Sequence, residues 1–387
     1  MSFRIPDAEY GERVKRIQVE MERRGLDLLV GYSSEGEPHH VRYVADFAPN
    51  FDFAGFIVPR VGEAALLTGG PESIVYAKAT SRLSKVYVHP FLLETSAPPY
   101  PETADIRFKD IIPDVAGGVK IRRVGVVGSN IFPYALYEDL RSAVKGCQIV
   151  EADDVLFKVR MIKSEAELRM MEEASRIAEK ALKEALDFLD EGKSEWEVEA
   201  KAKCAMFTAG AESTAYPIWV CSGPRTNQGL SRSTDRRLSR NELIQLSFGA
   251  KFQGYCGNIC RPLTIGPPPP EARKLMEAGL EIENLILDAM GPGVEAREIY
   301  ELFRKALNKH GFGRESVLYG PAHGTGLQEC EGPWIDGSAF PLEPGMVFNV
   351  DIWLSKGDMG LRWEDGVAIT KDKGKQLSSY RREIIVK

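Results

Sequence analysis

Hydrophobic positions in the first part of the chain alternate between short strand-like runs and amphipathic helical stretches. An amphipathic helix is predicted to end at Gly25, and the apolar strand LDLLVGY follows it. Further strands are predicted at Gly55–Pro59, Ala64–Leu67 and Val124–Val127. Helical segments lie between the strands, for example near Ala135–Val144. This alternation indicates an α/β domain over the first 150 or so residues.

The second half of the chain opens with two capping boxes, each at the start of a predicted helix. Ser164 with Glu167 starts the first, and Ser194 with Glu197 starts a second that extends to about Phe207. In such a box the serine side chain accepts a hydrogen bond from the backbone three residues on, while the glutamate accepts one from the serine amide. Both helices are therefore predicted with defined starts.

Downstream of these helices, short strands separated by glycine turns replace the helical pattern. Asn241–Ala250 and Gly254–Ile265 flank the short link Lys251–Gln253 and are predicted to pair as a hairpin. The remaining predicted elements are helices over Pro270–Met290 and up to about His310, and strands near Met346–Leu354 and Leu361–Thr370. These patterns place the domain boundary near residue 158.

Length and composition narrow the class of protein. A chain of 387 residues is too long for one compact core and predicts two domains. The net charge of -6 with mixed signs argues against a nucleic-acid partner. The chain has no recognisable signal peptide or membrane-spanning run, and its 6 cysteines show no disulfide framework. We therefore expect a cytoplasmic protein with no membrane or nucleic-acid partner.

Polar residues from separate strand-like segments are the candidates for chemistry: Ser247, Asn258, His323, Asp351 and Glu364. Taken singly, either carboxylate is also explained as a surface residue, and His323 among small residues is also explained as a structural histidine. Only a fold that brings these segments together makes them a site.

The segments around these residues resemble successive blocks of the creatinase/aminopeptidase P/prolidase family. The blocks of the second half, in the family's order and spacing, are RMIKSEAEL (160–168), SGPRTNQGLSRSTDR (222–236), FGAKFQGYCGNICRP (248–262), GPAHGTGLQECEGP (320–333), LEPGMVFNVDIWL (342–354) and GLRWEDGVAIT (360–370). VRYVADF (41–47) extends the resemblance into the first half. The resemblance implies a creatinase-type α/β N-terminal domain over residues 1–157 and an α+β pita-bread catalytic domain over residues 158–387.

The resemblance also implies where metal ligands would lie. Metallopeptidase members hold two divalent cations with two Asp, one His and two further acidic residues. These positions correspond here to Ser247, Asn258, His323, Asp351 and Glu364. Both Asp positions are therefore neutral, and two carboxylates do not balance two dications. We expect no metal cofactor; the alternative is a single divalent Mn, Co or Zn ion on His323, Asp351 and Glu364.

Creatinase-type members use the same pocket without metal to hydrolyse a C–N bond of a small guanidino compound. This chain departs from them too, because Leu230 and Cys260 align with their catalytic His and Glu. Cys330 aligns with a second family His. The expected reaction is therefore of a related type on another small molecule. The catalytic candidates are His323, Glu364, Asp351 and Cys260.

Two cysteines flank one candidate residue. Cys256, Asn258 and Cys260 alternate along one strand, so their side chains point to one face. If Asn258 faces the pocket, both thiols lie beside it. The cysteines serve either as small apolar packing groups, as a thiolate nucleophile activated by His323, or as a soft metal site. The sequence leaves these three roles open.

A mechanism and a set of substrate-binding residues follow as hypotheses. One of Asp351 and Glu364 acts as general base toward water, while His323 donates a proton to the leaving nitrogen. The substrate-binding candidates are Ser247, Asn258, Arg362, Cys330, Arg225 and Trp353. A substrate carboxylate is expected to bind one of three arginines through paired donors: Arg362, Arg225 or Arg232. Four tryptophans form either a cation-binding wall or part of the core: Trp219, Trp334, Trp353 and Trp363.

Three functions remain open at this stage. The first is a creatinase-like, metal-independent hydrolase that cleaves a C–N bond in a small amino-acid-like, guanidino or amide substrate. The second is a metal-dependent Xaa-Pro dipeptidase or aminopeptidase with a reduced metal site. The third is a non-catalytic family member that binds a ligand. The resemblance further implies a homodimer with a small-molecule substrate.

Overall fold

The chain folds as two compact units. The structure, a computed structural model, describes residues 3–94 and 106–387. One unit is Ile5–Arg160, and the other is Met161–Lys387 together with the N-terminal residues up to Arg4. Within the described ranges, no helix has both the length and the apolar character needed to cross a lipid bilayer.

The N-terminal unit is built on one mixed sheet. Its elements are α1 Asp7–Arg23, β1 Leu28–Ser33, α2 His39–Ala45, β2 Ala54–Pro59, β3 Ala65–Thr68, α3 Pro71–Thr80, β4 Lys85–Val88, α4 Phe108–Ala116, β5 Arg123–Val127, α5 Tyr134–Ala143, β6 Gln148–Glu151 and α6 Asp153–Met161. The strands lie in the order β4-β3-β2-β1-β5-β6, with β1 antiparallel to β2 and parallel to β5. Every residue of β1 and β2 is buried, which explains their continuous apolar runs. The predicted α/β character of this part is confirmed.

The C-terminal unit contains one large, mainly antiparallel sheet. Its elements are α7 Glu165–Phe188, α8 Glu195–Thr208, β7 Ser213–Thr214, β8 Trp219–Ser222, β9 Leu243–Phe252, β10 Tyr255–Thr264, α9 Pro270–Ala289, α10 Ala296–Lys309, β11 Ala322–Gly324, β12 Glu331–Ile335, β13 Val347–Lys356, β14 Met359–Ile369, β15 Gly374–Gln376 and β16 Ile385–Val386. The main path is β12-β11-β13-β14-β10-β9-β7, and β8, β15 and β16 pair with β9, β14 and β10.

Local signals in the sequence account for the starts and turns of these elements. The Ser164 side chain accepts a hydrogen bond from the Glu167 amide, and the Glu167 carboxylate accepts one from the Ser164 amide at 2.9 Å. The predicted hairpin forms from β9 and β10, but β9 lies two residues further along the chain than predicted, and β10 is one residue shorter at each end. The turn narrows to Gln253 and Gly254, both with positive φ, which is the geometry of a tight type I′ connection.

Close packing of α7 on the sheet fixes which face of β10 is free. A Cβ atom at Gly257 would lie 2.2 Å from the backbone nitrogen of Ser175, so helix and strand meet at a glycine. Side chains alternate along a strand, so the residues on either side of Gly257 face away from α7. Cys256, Asn258 and Cys260 therefore point to the opposite face.

Candidate active site

Four strands each place one side chain at the same level of the C-terminal sheet. In the antiparallel register, Ser247 of β9 lies opposite Cys260 of β10, and Cys260 lies opposite Glu364 of β14. Glu364 in turn lies opposite Asp351 of β13. Residues directly opposite in antiparallel strands share a face of the sheet. The register therefore gathers into one row four side chains that are far apart in sequence.

The other two candidates join this row by strand alternation. Asn258 lies two residues before Cys260 on β10 and so shares its face. His323 of β11 lies opposite Asn349, which precedes Asp351 by two residues on β13. His323, Asn258 and the members of the row are all buried. The structure thus brings together all five residues that the sequence singled out for chemistry.

Three of these side chains form a cluster that can hold a cation. His323, Asp351 and Glu364 each offer one ligand atom, and these atoms lie within 4.8 Å of one another. An imidazole with two carboxylates is a donor set that several divalent metals accept in proteins.

Glu364 lies at the centre of the hydrogen-bond network. The Cys260 thiol donates to its Oε2 at 2.9 Å, and the Asn258 amide nitrogen donates to its Oε1 at 2.9 Å. Burial, with the nearby charges of Asp351 and Glu329, raises the pKa of Glu364 to about 7. Burial and the Glu364 charge raise the pKa of the Cys260 thiol well above its ordinary value. Cys260 therefore acts as a hydrogen-bond donor rather than as a thiolate.

His323 is oriented by its two ring nitrogens. Its Nδ1 lies 3.0 Å from the carbonyl oxygen of Gly324, so that nitrogen carries the hydrogen and donates it. Its Nε2 lies 3.7 Å from Oε1 of Glu329. Burial alone would lower the pKa of His323, but hydrogen bonding with Cys330 and the charge of Glu329 raise it to about 10. Because Nδ1 is occupied by Gly324 O, Nε2 is the nitrogen directed at the site.

Arg362 is a fixed cation beside the cluster. Its Nε lies 3.1 Å from Oδ1 of Asp351, and its Nη2 donates to Gly229 O at 3.0 Å and to the Tyr319 hydroxyl at 2.7 Å. Burial opposes its charge, but Asp351 outweighs that effect and the pKa of Arg362 is raised well above its ordinary value. The Trp353 ring centroid is 5.9 Å from the Arg362 guanidinium carbon.

A cavity of about 640 Å³ opens onto this cluster. Aromatic side chains form much of its wall: Tyr216, Trp219, Tyr319 and Trp334. Its polar lining includes His323, Glu329, Asp351, Arg362 and Arg232. An apolar wall with a few convergent polar groups is typical of a pocket for a small molecule.

The other predicted substrate-binding residues lie at different depths. Cys330 lines the cavity, whereas Ser247, a member of the row, and Asn258, two residues before Cys260, are outside the described lining. Trp353 is outside the described lining and packs near Arg362 instead. Arg225 is also outside it, because its Nε donates to Glu195 at 3.3 Å.

The other candidate tryptophans lie either in the cavity wall or in the core. Trp219 and Trp334 line the cavity, while Trp363 is fully buried on the face opposite Glu364. Burial raises the pKa of Cys256 to about 12, so it too is a neutral thiol.

Glu329 is a site residue that the sequence analysis did not identify. It lines the cavity, and its Oε1 accepts a hydrogen bond from the Asn258 amide nitrogen at 2.8 Å. The one available signal was its place in the block GPAHGTGLQECEGP, directly before Cys330. Tyr216 and Tyr319 were missed as well, because nothing in their local pattern distinguishes them from core aromatics.

The raised pKa of Glu364 predicts a pH dependence of stability in chelator-treated protein. The folded state keeps a proton that the unfolded chain releases near the ordinary value of 4.5. The free energy of unfolding should therefore fall as the pH rises from 4.5 to about 7. One unit of pKa corresponds to about 1.4 kcal/mol. Denaturant unfolding across this range should show the fall, and Glu364→Gln should remove it; an unchanged slope in Glu364→Gln would contradict the assignment.

The residues present fit one divalent cation and do not fit two. At the two positions where the resemblance implies aspartates, Ser247 and Asn258 are neutral, and the Asn258 amide nitrogen donates to carboxylates. A second dication would therefore lack its anionic ligands. Among the residues that the structure describes, the buried Ser247 Oγ and Asn258 Oδ1 have no hydrogen-bond partner. Each of these oxygens is an unsatisfied hydrogen-bond acceptor beside the cluster.

Comparisons with known proteins cover both units. Metallopeptidase family M24 matches residues 169–371, and the creatinase/prolidase N-terminal domain matches residues 13–162. The Xaa-Pro dipeptidase of Pyrococcus horikoshii is 32% identical over 268 residues, which are 68% of this chain and 75% of that protein.

Solved structures give the same result for the fold. The prolidase from Pyrococcus horikoshii OT3 has a TM-score of 0.83 and 26% identity, covering 97% of this chain and 100% of that one. The X-Pro aminopeptidase from Thermotoga maritima has a TM-score of 0.82 at 24% identity, covering 97% and 99%, and shares the fold. These matches confirm the expected α/β N-terminal domain and pita-bread C-terminal domain.

Proposed function

We propose, because this chain belongs to metallopeptidase family M24 and carries its creatinase/prolidase N-terminal domain, that it hydrolyses a C–N bond in a small dipeptide. The relative from Pyrococcus horikoshii is an Xaa-Pro dipeptidase, which makes Xaa-Pro dipeptides the first substrate class. The observation that carries the proposal is the convergence of His323, Asp351 and Glu364 within 4.8 Å beside a cavity of about 640 Å³.

The comparisons favour the metal-dependent alternative over the expected metal-free reaction. The matching family is one of metallopeptidases, and the expectation of no metal cofactor has no support from the relatives. We therefore propose one divalent cation, held by His323 Nε2, Asp351 and Glu364. When bound, such an ion polarises a carbonyl oxygen and lowers the pKa of water.

The chain's own residues supply orientation and binding. The Cys260 thiol and the Asn258 amide each donate to one oxygen of Glu364, so its carboxyl plane is fixed. Tyr319, whose pKa burial and Asp351 raise well above its ordinary value, keeps its proton beside Asp351. Arg232 lines the cavity and is suited to bind a substrate carboxylate through paired N–H donors. The aromatic wall excludes water from the bound dipeptide.

Metal analysis combined with a dipeptide assay tests the proposal. Protein purified without an affinity-tag metal and reconstituted with Mn²⁺ or Co²⁺ should bind one ion per chain and cleave Xaa-Pro dipeptides. Xaa-Ala dipeptides serve as the matched control for the imide specificity. Protein that binds no ion and leaves every Xaa-Pro dipeptide intact would overturn the proposal.

A second candidate is metal-independent hydrolysis of a guanidino or amide compound, as in creatinase-type members. It is favoured by one observation: both carboxylates of the cluster already have polar partners within the protein. Arg362 pairs with Asp351, and Cys260 donates to Glu364. Cleavage of small guanidino or amide compounds in the presence of a chelator would establish this candidate instead.

The oligomeric state and the cellular location of the protein are further predictions. The resemblance implies a homodimer, and light scattering on the 43.0 kDa chain would test it by showing about twice that mass. The cytoplasmic location expected from the sequence is a further prediction, which fractionation of the source cells would test.

A further inference from the structure

A third carboxylate lies beside the cluster, at a position that supplies no ligand in the resemblance. Glu329 lies between β11 and β12, and its side chain is 26% exposed and lines the cavity. Its Oε1 is 2.8 Å from the Asn258 amide nitrogen and 3.7 Å from His323 Nε2. Glu329 therefore lies beside the position at which the resemblance implies a metal-binding aspartate.

Asn258 connects this carboxylate to the cluster. Its amide nitrogen donates one hydrogen to Glu364 Oε1 at 2.9 Å and the other to Glu329 Oε1 at 2.8 Å. An aspartate at position 258 would instead repel both carboxylates in this arrangement. An amide rather than a carboxylate at position 258 is thus compatible with a carboxylate at position 329.

The formal charge of the side chains around the cation also supports a role for Glu329. Asp351 and Glu364 together with the Arg362 guanidinium leave a formal charge of about minus one, which balances only half the charge of a dication. With Glu329 included, the formal charge becomes about minus two, which matches one divalent cation.

The distance between His323 and Glu329 is close to that between two ligands of one ion. Ligand atoms at about 2.1 Å from one metal ion lie roughly 3.0 to 3.4 Å apart. The observed 3.7 Å between His323 Nε2 and Glu329 Oε1 is only slightly longer. His323 Nδ1 is occupied by Gly324 O, so Nε2 is the nitrogen that faces both Glu329 and the cluster.

We propose that Glu329 is a fourth ligand of the single divalent cation, completing a site of one imidazole and three carboxylates. The proposal rests on the proposed function, since it concerns the same ion. The resemblance implies a carboxylate on β10 at position 258, where this chain has Asn258. In the proposed site, Glu329 supplies that carboxylate from the segment that follows His323.

Mn²⁺ binding measured by isothermal titration calorimetry tests this assignment without any assay of activity. Glu329→Gln removes the charge with little change of shape and should weaken Mn²⁺ binding about 10- to 100-fold. Glu343→Gln, the same exchange at an exposed residue of the same unit, is the matched control and should bind Mn²⁺ as the unaltered protein does. Asn258→Asp combined with Glu329→Gln moves the carboxylate back to β10 and should recover most of the lost affinity.

The outcomes separate this inference from the proposed function. If the unaltered protein binds one Mn²⁺ and Glu329→Gln binds it equally well, Glu329 is not a ligand, while the proposed function stands. If the unaltered protein binds no Mn²⁺, the single-cation proposal itself fails, and the assignment of Glu329 fails with it. Tryptophan fluorescence of each variant establishes that it is folded before binding is compared.

Discussion

His323→Ala is expected to lower kcat/KM for Xaa-Pro dipeptides by about a thousand-fold and to abolish Mn²⁺ binding. His323 is the one imidazole in the cluster, and its Nε2 faces Glu329 while Nδ1 is held by Gly324 O. Alanine removes both the nitrogen ligand and the positive charge that a metal-free site would use as proton donor. Steady-state kinetics with calorimetric Mn²⁺ titration measures both effects.

A second histidine of the same unit provides the control. His310 lies at the end of α10 and contacts Glu281 at 3.2 Å, remote from the row of site residues in the sheet. His310→Ala should leave kcat/KM within about threefold, since surface substitutions rarely alter a distant site. A His323→Ala enzyme that kept a tenth of the original kcat/KM would show that the reaction takes place elsewhere.

Asp365→Asn is expected to lower the free energy of unfolding of the C-terminal unit by about 3–5 kcal/mol. The Asp365 and Arg261 side chains are both fully buried, and Arg261 Nη2 lies 2.9 Å from Asp365 Oδ2. Arg261 Nη1 also donates to the carbonyl oxygens of Cys260 at 2.9 Å and Glu364 at 3.1 Å. Asparagine would leave the guanidinium buried without its counter-charge, directly behind the row of site residues.

Urea unfolding followed by tryptophan fluorescence measures this effect selectively. All 5 tryptophans of the chain lie after residue 161, so their emission reports on the C-terminal unit. The exposed pair Arg381–Glu383 is the control, and Glu383→Gln should change stability by less than about 1 kcal/mol. Because paired removal avoids the lone buried charge, Arg261→Met with Asp365→Leu should be less destabilised than Asp365→Asn. A loss below about 1 kcal/mol in Asp365→Asn would contradict the argument.

Local patterns in the sequence determined most of the elements of this fold. The capping boxes at Ser164 and Ser194 form as predicted, because a box depends only on residues three positions apart. The hairpin of β9 and β10 was likewise predicted from alternating strands and a short link, although its turn lies at Gln253 and Gly254. The resemblance supplied the fold class and located His323, Asp351 and Glu364.

Only the tertiary structure decided which side chains touch. The sequence placed Cys260 and Asn258 on one face of a strand by alternation, but alternation does not specify the partner strand or its register. The pairing of β10 with β14 is what sets Cys260 beside Glu364. The pairing of β13 with β14 similarly sets Asp351 beside Glu364.

The contacts of residues in irregular segments were the hardest to predict from the sequence. Glu329 lies between two short strands, where no periodicity indicates the direction of a side chain, and only the fold brings it to Asn258 and His323. Arg225 was a substrate-binding candidate by motif, yet the buried carboxylate of Glu195 holds it outside the cavity lining. The sequence thus determined the elements and the residue types of the site, because those depend on short spacings. Cross-strand register and long-range ion pairs determined the site's contacts, because they arise only when distant segments pack.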